Sequence, residues 1–279
     1  MIITCWGSRG SISVSGKDYI KYGGDTTCVE IVTKTGDTLI VDAGTGIRRL
    51  GYHLYENKRN SFHLLFTHAH WDHVIGFPFF RPLFSKEVTI VLHSGPFSIK
   101  GIRRVLADTM APPHFPVSFD HIEARIEYRR TPASAFSVGA LQVIPIPISH
   151  PNNGFGYKFI EDGKTFVFLT DNELNYIHPH GLSIEAYIDF AAGADLLFHD
   201  AEFTPQEYQL TAGWGHSVYT DALELARSAG VKTLGFFHLN QERSDQQLDR
   251  LMNTVSQDIQ KNGYGFDCLA VGCGMRFKI

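Results

Sequence analysis

The stretch "THAHWDH" (67–73) places three histidines and an aspartate within six positions, directly after the apolar run "FHLLF" (62–66). Imidazole nitrogen and carboxylate oxygen are the ligand atoms of the borderline divalent metals. Three imidazoles packed this closely would repel one another on protonation and have no packing role, so the chemistry they point to is metal binding. Side chains alternate along an extended segment, so His68 and His70 project to one side and can chelate one ion together. Asp72 and His73 lie past the turn, where the chain enters a helix, and face away from that pair toward a second ion.

Other ligand-type residues follow later apolar runs: His150 after "LQVIPIPIS", Asp171 after "TFVFLT", His199 and Asp200 after "ADLLF", and His238 after "TLGFF". Residues at successive strand ends can converge on one rim of a sheet structure. Two ions roughly 3.5–4 Å apart need a bridging ligand, which a two-oxygen carboxylate supplies without distortion. The expected assignment is His68, His70 and His150 for the first metal, Asp72, His73 and His238 for the second, and Asp171 shared. With imidazole and carboxylate ligands and no thiolate, Zn(II) is the first choice, and Mn(II) or Fe(II) suits the same shell. Open positions on two such ions mean catalysis rather than structure.

These side chains need strands to carry them. Short runs rich in Val, Ile, Phe and Thr recur from "MIITCWG" to "TLGFFHL", bounded by Gly, Asp or Pro, and read as sheet. Helix-like segments span 46–57, 183–192, 217–229 and 244–261. The last opens on Ser244 as N-cap and carries Leu248, Leu251, Val255 and Ile259 as one apolar stripe. Strand follows strand in the first half, while strand and helix alternate in the second. Two mixed β-sheets packed face to face with outer helices, a four-layer αββα sandwich of the α/β (α+β) class, accommodates both halves in one domain over 1–279. From 97 to 135 the period is lost and Pro112, Pro113 and Pro116 accumulate, which predicts a lid-like insertion.

A net charge of −4 gives no global basic field, so no stable nucleic-acid partner is expected. Cys5, Cys28, Cys268 and Cys273 form no CxxC pair, no export signal opens the chain, and no apolar run approaches the roughly 20 residues a membrane helix needs. The expectation is a soluble cytoplasmic protein.

"THAHWDH" resembles the HxHxDH signature of the metallo-β-lactamase superfamily, and His150, Asp171 and His238 resemble its later metal motifs in order and context. "LIVDAG" (39–44) is similar to that fold's entry strand, which implies that Asp42 orients the histidine loop. "HDAEF" (199–203) followed by "GWGHS" (213–217) resembles the HEATF and GHS elements of the phosphodiesterase branch, which includes tRNase Z and the carbon-phosphorus lyase accessory phosphodiesterase. The opening "CWGSRGSISVSG" with "YGGDTTCVE" is similar to a bacterial group labelled cyclic-nucleotide phosphodiesterase-like.

The resemblance implies a dinuclear metal phosphodiesterase acting on a small phosphodiester, such as a cyclic nucleotide or short nucleotide diester, with Asp72, His199 and His216 as its catalytic residues. Metal coordination brings the pKa of water toward about 7, giving a nucleophile near neutral pH. His216 is placed to protonate the leaving alkoxide, or else it opens the following helix; Ser217 is an alternative cap whose neighbouring amides offer a phosphate site. His199 positions the site rather than touching substrate. "GSRGS" (7–11) with Arg9 is either a turn or an anion site, and His114 and Phe115 either stack on a base or pack the lid.

Two other readings share the ligands: a thioester or lactone hydrolase, and a non-catalytic nucleotide or metal sensor. Two departures from the branch stand out. There is no Gly- and Lys-rich arm of the tRNase Z kind, and Cys273 stands where a "DGM" ending would have Asp. A homodimer is common among such relatives.

Overall fold

The apolar runs become strands because their residues alternate between two apolar surroundings. The computed structural model describes residues 1–279. The first half contributes β1 (Ile2–Gly7), β2 (Cys28–Val32), β3 (Thr38–Val41), β4 (Ser61–Leu65), β5 (Thr89–His93) and β6 (Arg125–Arg129). The second contributes β7 (Phe136–Val138), β8 (Leu141–Pro147), β9 (Phe155–Glu161), β10 (Lys164–Leu169), β11 (Leu196–Asp200), β12 (Thr233–Phe237), β13 (Asp267–Ala270) and β14 (Arg276–Lys278). They form two seven-stranded sheets, ordered β14-β1-β2-β3-β4-β5-β6 and β13-β12-β11-β10-β9-β8-β7.

In β3, Leu39 and Val41 enter the layer between the sheets while Ile40 faces outward; in β10, Phe166 and Phe168 enter it while Val167 and Leu169 face outward. Phenylalanines fill the inner layer, with the Phe166–Phe198 and Phe168–Phe237 ring centroids each 5.0 Å apart, edge to face. Two sheets pack about 10 Å apart, a gap that large side chains suit.

Helices α1 (Ile47–Glu56), α2 (Trp71–Val74), α3 (Ile99–Thr109), α4 (Ile184–Ala191), α5 (Pro205–Thr211), α6 (Tyr219–Ala229) and α7 (Asp245–Asn262) complete the chain. Leu50 and Leu54 of α1 and Ile102 and Leu106 of α3 cover the outer face of the first sheet, and α4, α6 and α7 cover the second. Ser244 caps α7 in a reciprocal capping box with Gln247, which is why that helix starts where the sequence places it. The four-layer αββα sandwich expected from the sequence is the fold observed. No helix is long and apolar enough to cross a membrane.

The segment 97–135 is more regular than its composition suggests. It holds α3 and also β6, which pairs in parallel with β5 as the edge of the first sheet. The β6 sequence "RIEYR" packs only Ile126 and Tyr128 against the core, and its Arg125, Glu127 and Arg129 carry the charge that an edge strand turns to solvent.

Strand direction positions the site. β10, β11 and β12 are parallel, and β8 runs the same way because it is two antiparallel steps from β10 across β9. Their C-terminal ends therefore share one edge, and the loop leaving β4 meets them there.

Candidate metal centre

His68, His70, His150 and Asp171 bring their donor atoms within 4.8 Å of one another, and so do Asp72, His73, Asp171 and His238. Asp171 belongs to both sets. Its Oδ2 lies 3.6 Å from His68 Nε2, 3.7 Å from His150 Nε2 and 3.3 Å from His238 Nε2, while its Oδ1 lies 3.3 Å from His73 Nε2. Asp72 Oδ2 approaches the Nε2 atoms of His73 and His238 at 3.2 and 3.1 Å and accepts a hydrogen bond from the Ser11 amide at 3.0 Å. His70 Nδ1 stands 3.0 Å from His150 Nε2. Of the seven only His70 is half-buried, and it marks the side open to solvent.

The backbone is bent to make this basket. Asp42, Asp171 and His238 all hold left-handed conformations, with φ of 63°, 53° and 53°. Such conformations are uncommon outside glycine and persist where the surroundings enforce them, often at functional sites. Two glycines allow close approach: a Cβ on Gly10 would lie 2.2 Å from His238 Nδ1, and one on Gly215 would lie 2.2 Å from His150 Nδ1.

Three of the five imidazoles are turned by the nitrogen they do not present. His73 Nδ1 donates to Asp42 Oδ2 at 2.8 Å, and Asp42 also accepts from the Thr67 amide at 2.8 Å and hydroxyl at 2.7 Å. His238 Nδ1 donates to Glu202 Oε2 at 2.8 Å, and His150 Nδ1 donates to the Gly215 carbonyl at 2.8 Å. Nε2 of each ring is left facing the cluster, the arrangement by which outer hydrogen bonds fix the tautomer of a metal ligand.

The donor set fits a divalent cation. His68 Nε2 and His73 Nε2 are buried ring nitrogens with no hydrogen-bond partner, an arrangement that costs free energy unless something else satisfies them. Charge points the same way. Burial disfavours ionisation of Asp72 and Asp171, yet the neighbouring imidazoles hold both well below the carboxylate range. Burial likewise disfavours charge on His73 and His238, and these carboxylates still hold them well above the imidazole range. Burial wins at His68, pushed well down, and at His150, pushed to about 3. Two buried carboxylates thus draw positive charge onto His73 and His238, while His68 and His150 stay neutral.

A second layer comes from β11 and the loop before α6. Asp200 Oδ2 accepts from His216 Nδ1 at 2.7 Å, and its Oδ1 accepts from the amides of Ser217 at 3.0 Å and Glu202 at 3.1 Å. The His216 ring stacks on His238 with centroids 4.4 Å apart and meets His150 edge-on at 5.2 Å, so it borders both donor sets. Burial lowers its pKa, but Glu202 and Asp200 outweigh that and raise it to about 9.

Several sequence-based expectations change here. His199 keeps the positioning role expected of it but leaves the catalytic set: it is fully buried, donating from Nδ1 to the Asp200 carbonyl at 2.7 Å and facing Asn172 Nδ2 with Nε2 at 3.2 Å, so it braces the turn beside Asp171 and has no open face for substrate. Ser217 is not a cap: its hydroxyl donates to the Asn172 carbonyl at 2.6 Å, and its amide is taken by Asp200. Arg9 is no anion site; its guanidinium is buried against the carbonyls of Gly23, Asn240 and Arg243 at 2.8–2.9 Å. Cys273 packs against Gly23 and belongs to neither donor set.

Glu173 and Glu202 were not singled out in the sequence. Glu202 orients His238, and Glu173 gathers the loop carrying Gly215 and His216. The one signal for Glu173 was an acidic residue two positions after Asp171, at a strand end.

A family profile described as Beta-lactamase superfamily domain matches residues 37–239. The chain belongs to that superfamily. Among its relatives is a protein named Ribonuclease Z from Haloarcula marismortui, 24% identical, with the match covering 86% of each chain. The fold is shared with the metallo-beta-lactamase fold protein YhfI from Bacillus subtilis, at a TM-score of 0.69 and 17% identity over 99% of this chain and 98% of that one. It is shared equally with a diphosphatase from the PhnP family, at a TM-score of 0.69 and 19% identity over 100% of this chain and 97% of that one. Residues 37–239 of this superfamily member enclose all seven candidate ligands together with His199 and His216.

Proposed function

We propose that this superfamily member is a metal-dependent phosphodiesterase that hydrolyses a small phosphodiester, such as a cyclic nucleotide or a short nucleotide diester. Relatives named Ribonuclease Z, and a structural neighbour named as a diphosphatase, support phosphoester chemistry at this fold's rim. The observation that carries the reading is the Asp200–His216 pair set against the rings of both donor sets.

The two sets would hold two divalent ions, zinc by preference, through His68, His70, His150, Asp72, His73, His238 and the shared Asp171. Bound there, such ions neutralise the non-bridging phosphate oxygens and bring the pKa of water toward about 7. The remaining work belongs to the chain. Asp42, Glu202 and the Gly215 carbonyl keep three Nε2 atoms aimed at the cluster. Asp72 would serve as ligand, its Oδ2 kept in place by the Ser11 amide. Asp200 binds His216 Nδ1, which leaves the ring's other nitrogen free to pass a proton to the departing oxygen.

That proton argues for an alkoxide leaving group. A sugar alkoxide departs poorly without one, because general acids contribute on the order of 10²–10⁴-fold to such steps. A thiolate, with a pKa near 8.5, has little need of it. A thioester hydrolase would gain little from His216.

The test is a ranking. The metal-loaded protein is assayed on bis-p-nitrophenyl phosphate, a lactone and a thioester, then on cyclic mononucleotides, cyclic dinucleotides, short RNA and a precursor tRNA. The expected result is fast cleavage of the phosphodiester and of a small nucleotide substrate. A lactone or thioester at the head of the ranking removes the phosphodiesterase reading, and precursor tRNA at the head of the second panel removes the small-substrate one.

A further inference from the structure

A cavity of about 650 Å3 opens beside the metal centre, within the range of roughly 300–1,000 Å3 that small-molecule sites occupy. It shares the histidine loop: Ala69, between His68 and His70, and Trp71, between His70 and Asp72, both line it. Its other walls are largely apolar. Trp71 and Phe79 are 71% and 55% exposed, and Phe115 meets Phe79 edge to face with centroids 5.4 Å apart. Aromatic rings left this open to water beside a donor cluster do little for the core, since their free faces touch nothing. Asp108, Thr109 and His114 add a few polar groups at the wall supplied by segment 97–135.

We propose that this cavity holds the nucleobase of the substrate, so that the cleaved diester is a nucleotide and not a base-free phosphate ester. The inference rests on the phosphodiesterase reading for the position of the phosphate. Open aromatic faces suit a base because every base offers a π face to stack on, whichever its edge pattern. The few polar groups at the rim are then available to its hydrogen-bonding edge. Segment 97–135 acquires a role as the wall that closes over the base.

The test separates binding from turnover. The metal-loaded protein is titrated with AMP and with ribose 5-phosphate, which differ only by the base, while tryptophan fluorescence is followed; Trp71→Phe supplies the background of Trp6 and Trp214. AMP is expected to bind on the order of tenfold more tightly and to quench Trp71, and Phe79→Ala and Phe115→Ala are expected to collapse that preference. Equal binding of the two ligands, or a preference that survives both variants, overturns the proposal.

Turnover supplies the second arm. Thymidine 5′-(p-nitrophenyl) phosphate is expected to show a KM on the order of tenfold below that of methyl p-nitrophenyl phosphate, with the gap erased in Phe115→Ala. If a phenyl p-nitrophenyl ester does as well as the thymidine ester, the cavity accepts any apolar group and the base assignment fails. If no diester is cleaved while AMP is still preferred over ribose 5-phosphate, the base pocket stands and the phosphodiesterase reading falls.

Discussion

Glu173→Gln tests whether the outer layer holds the metal centre together. Glu173 is buried, and its carboxylate accepts four hydrogen bonds. Tyr208 Oη and the Gly213 amide donate to Oε1 at 2.7 Å, and the Gly215 amide and His178 Nε2 donate to Oε2 at 2.7 and 2.8 Å. Glutamine keeps the shape but turns one oxygen into an NH2 group. In either orientation that group faces one backbone amide, of Gly213 or of Gly215, and two donors cannot pair. The tyrosine hydroxyl and the histidine ring can reorient; the amide cannot. Leaving it buried and unpaired costs roughly 1–3 kcal/mol, and losing the ionised acceptor for the others brings the total to about 2–4 kcal/mol. At about 2 °C per kcal/mol for a chain of this size, the melting temperature should fall by about 4–8 °C. Because the Gly215 carbonyl fixes His150, metal bound per chain should fall as well. Differential scanning fluorimetry and elemental analysis read the two effects. Tyr208→Phe, which removes one donor and no charge, should keep its metal. A Glu173→Gln protein with wild-type melting temperature and metal content would refute the reasoning.

Three further outcomes follow from the same geometry. His216→Ala should lower kcat on a nucleotide diester with a sugar alkoxide leaving group by about 10²-fold or more, and far less on bis-p-nitrophenyl phosphate, whose phenolate departs without a proton, with metal content unchanged in elemental analysis; loss of metal would make His216 a ligand instead. Asp42→Asn should weaken metal binding by about 10–100-fold in chelator competition, because it unseats His73, and unchanged affinity would show that Thr67 alone holds the loop. His93 is pushed down to about 4 by burial, and by His63 and Arg129, so the fold favours its neutral form. A folded pKa below the unfolded 6.5 contributes stability that is complete above about pH 6.5 and is lost as pH falls toward 4. His93→Phe, which keeps the stacking on Phe136, should therefore lessen the drop in melting temperature over that interval, and an unaltered drop would place the acid sensitivity elsewhere.

The ligands were legible because metal chemistry writes a local signature. Three imidazoles in "THAHWDH" have no packing explanation, and His150, Asp171 and His238 each follow an apolar run whose strand character was evident. Helix α7 was legible for the same kind of reason, its cap and stripe lying within one stretch of chain. What could not be read was whatever depends on distant partners. β6, β13 and β14 are three to five residues long, too short to show a period of their own, and they become strands against the edges that β5, β12 and β1 offer.

Glu173, Asn172 and Glu202 look like ordinary polar residues until the 213–217 loop folds back on them. Arg9 shows the converse: a basic residue in a glycine-rich turn invites an anion, but burial puts its guanidinium among three carbonyls instead. Hydrogen bonds between residues tens of positions apart have no period in the sequence, so apart from Asp42, to which the family resemblance pointed, the supports of this metal site stay hidden where its ligands do not. The supports still decide which nitrogen each ring presents. Substitutions in this outer layer should therefore disturb metal binding through side chains that no ligand motif contains.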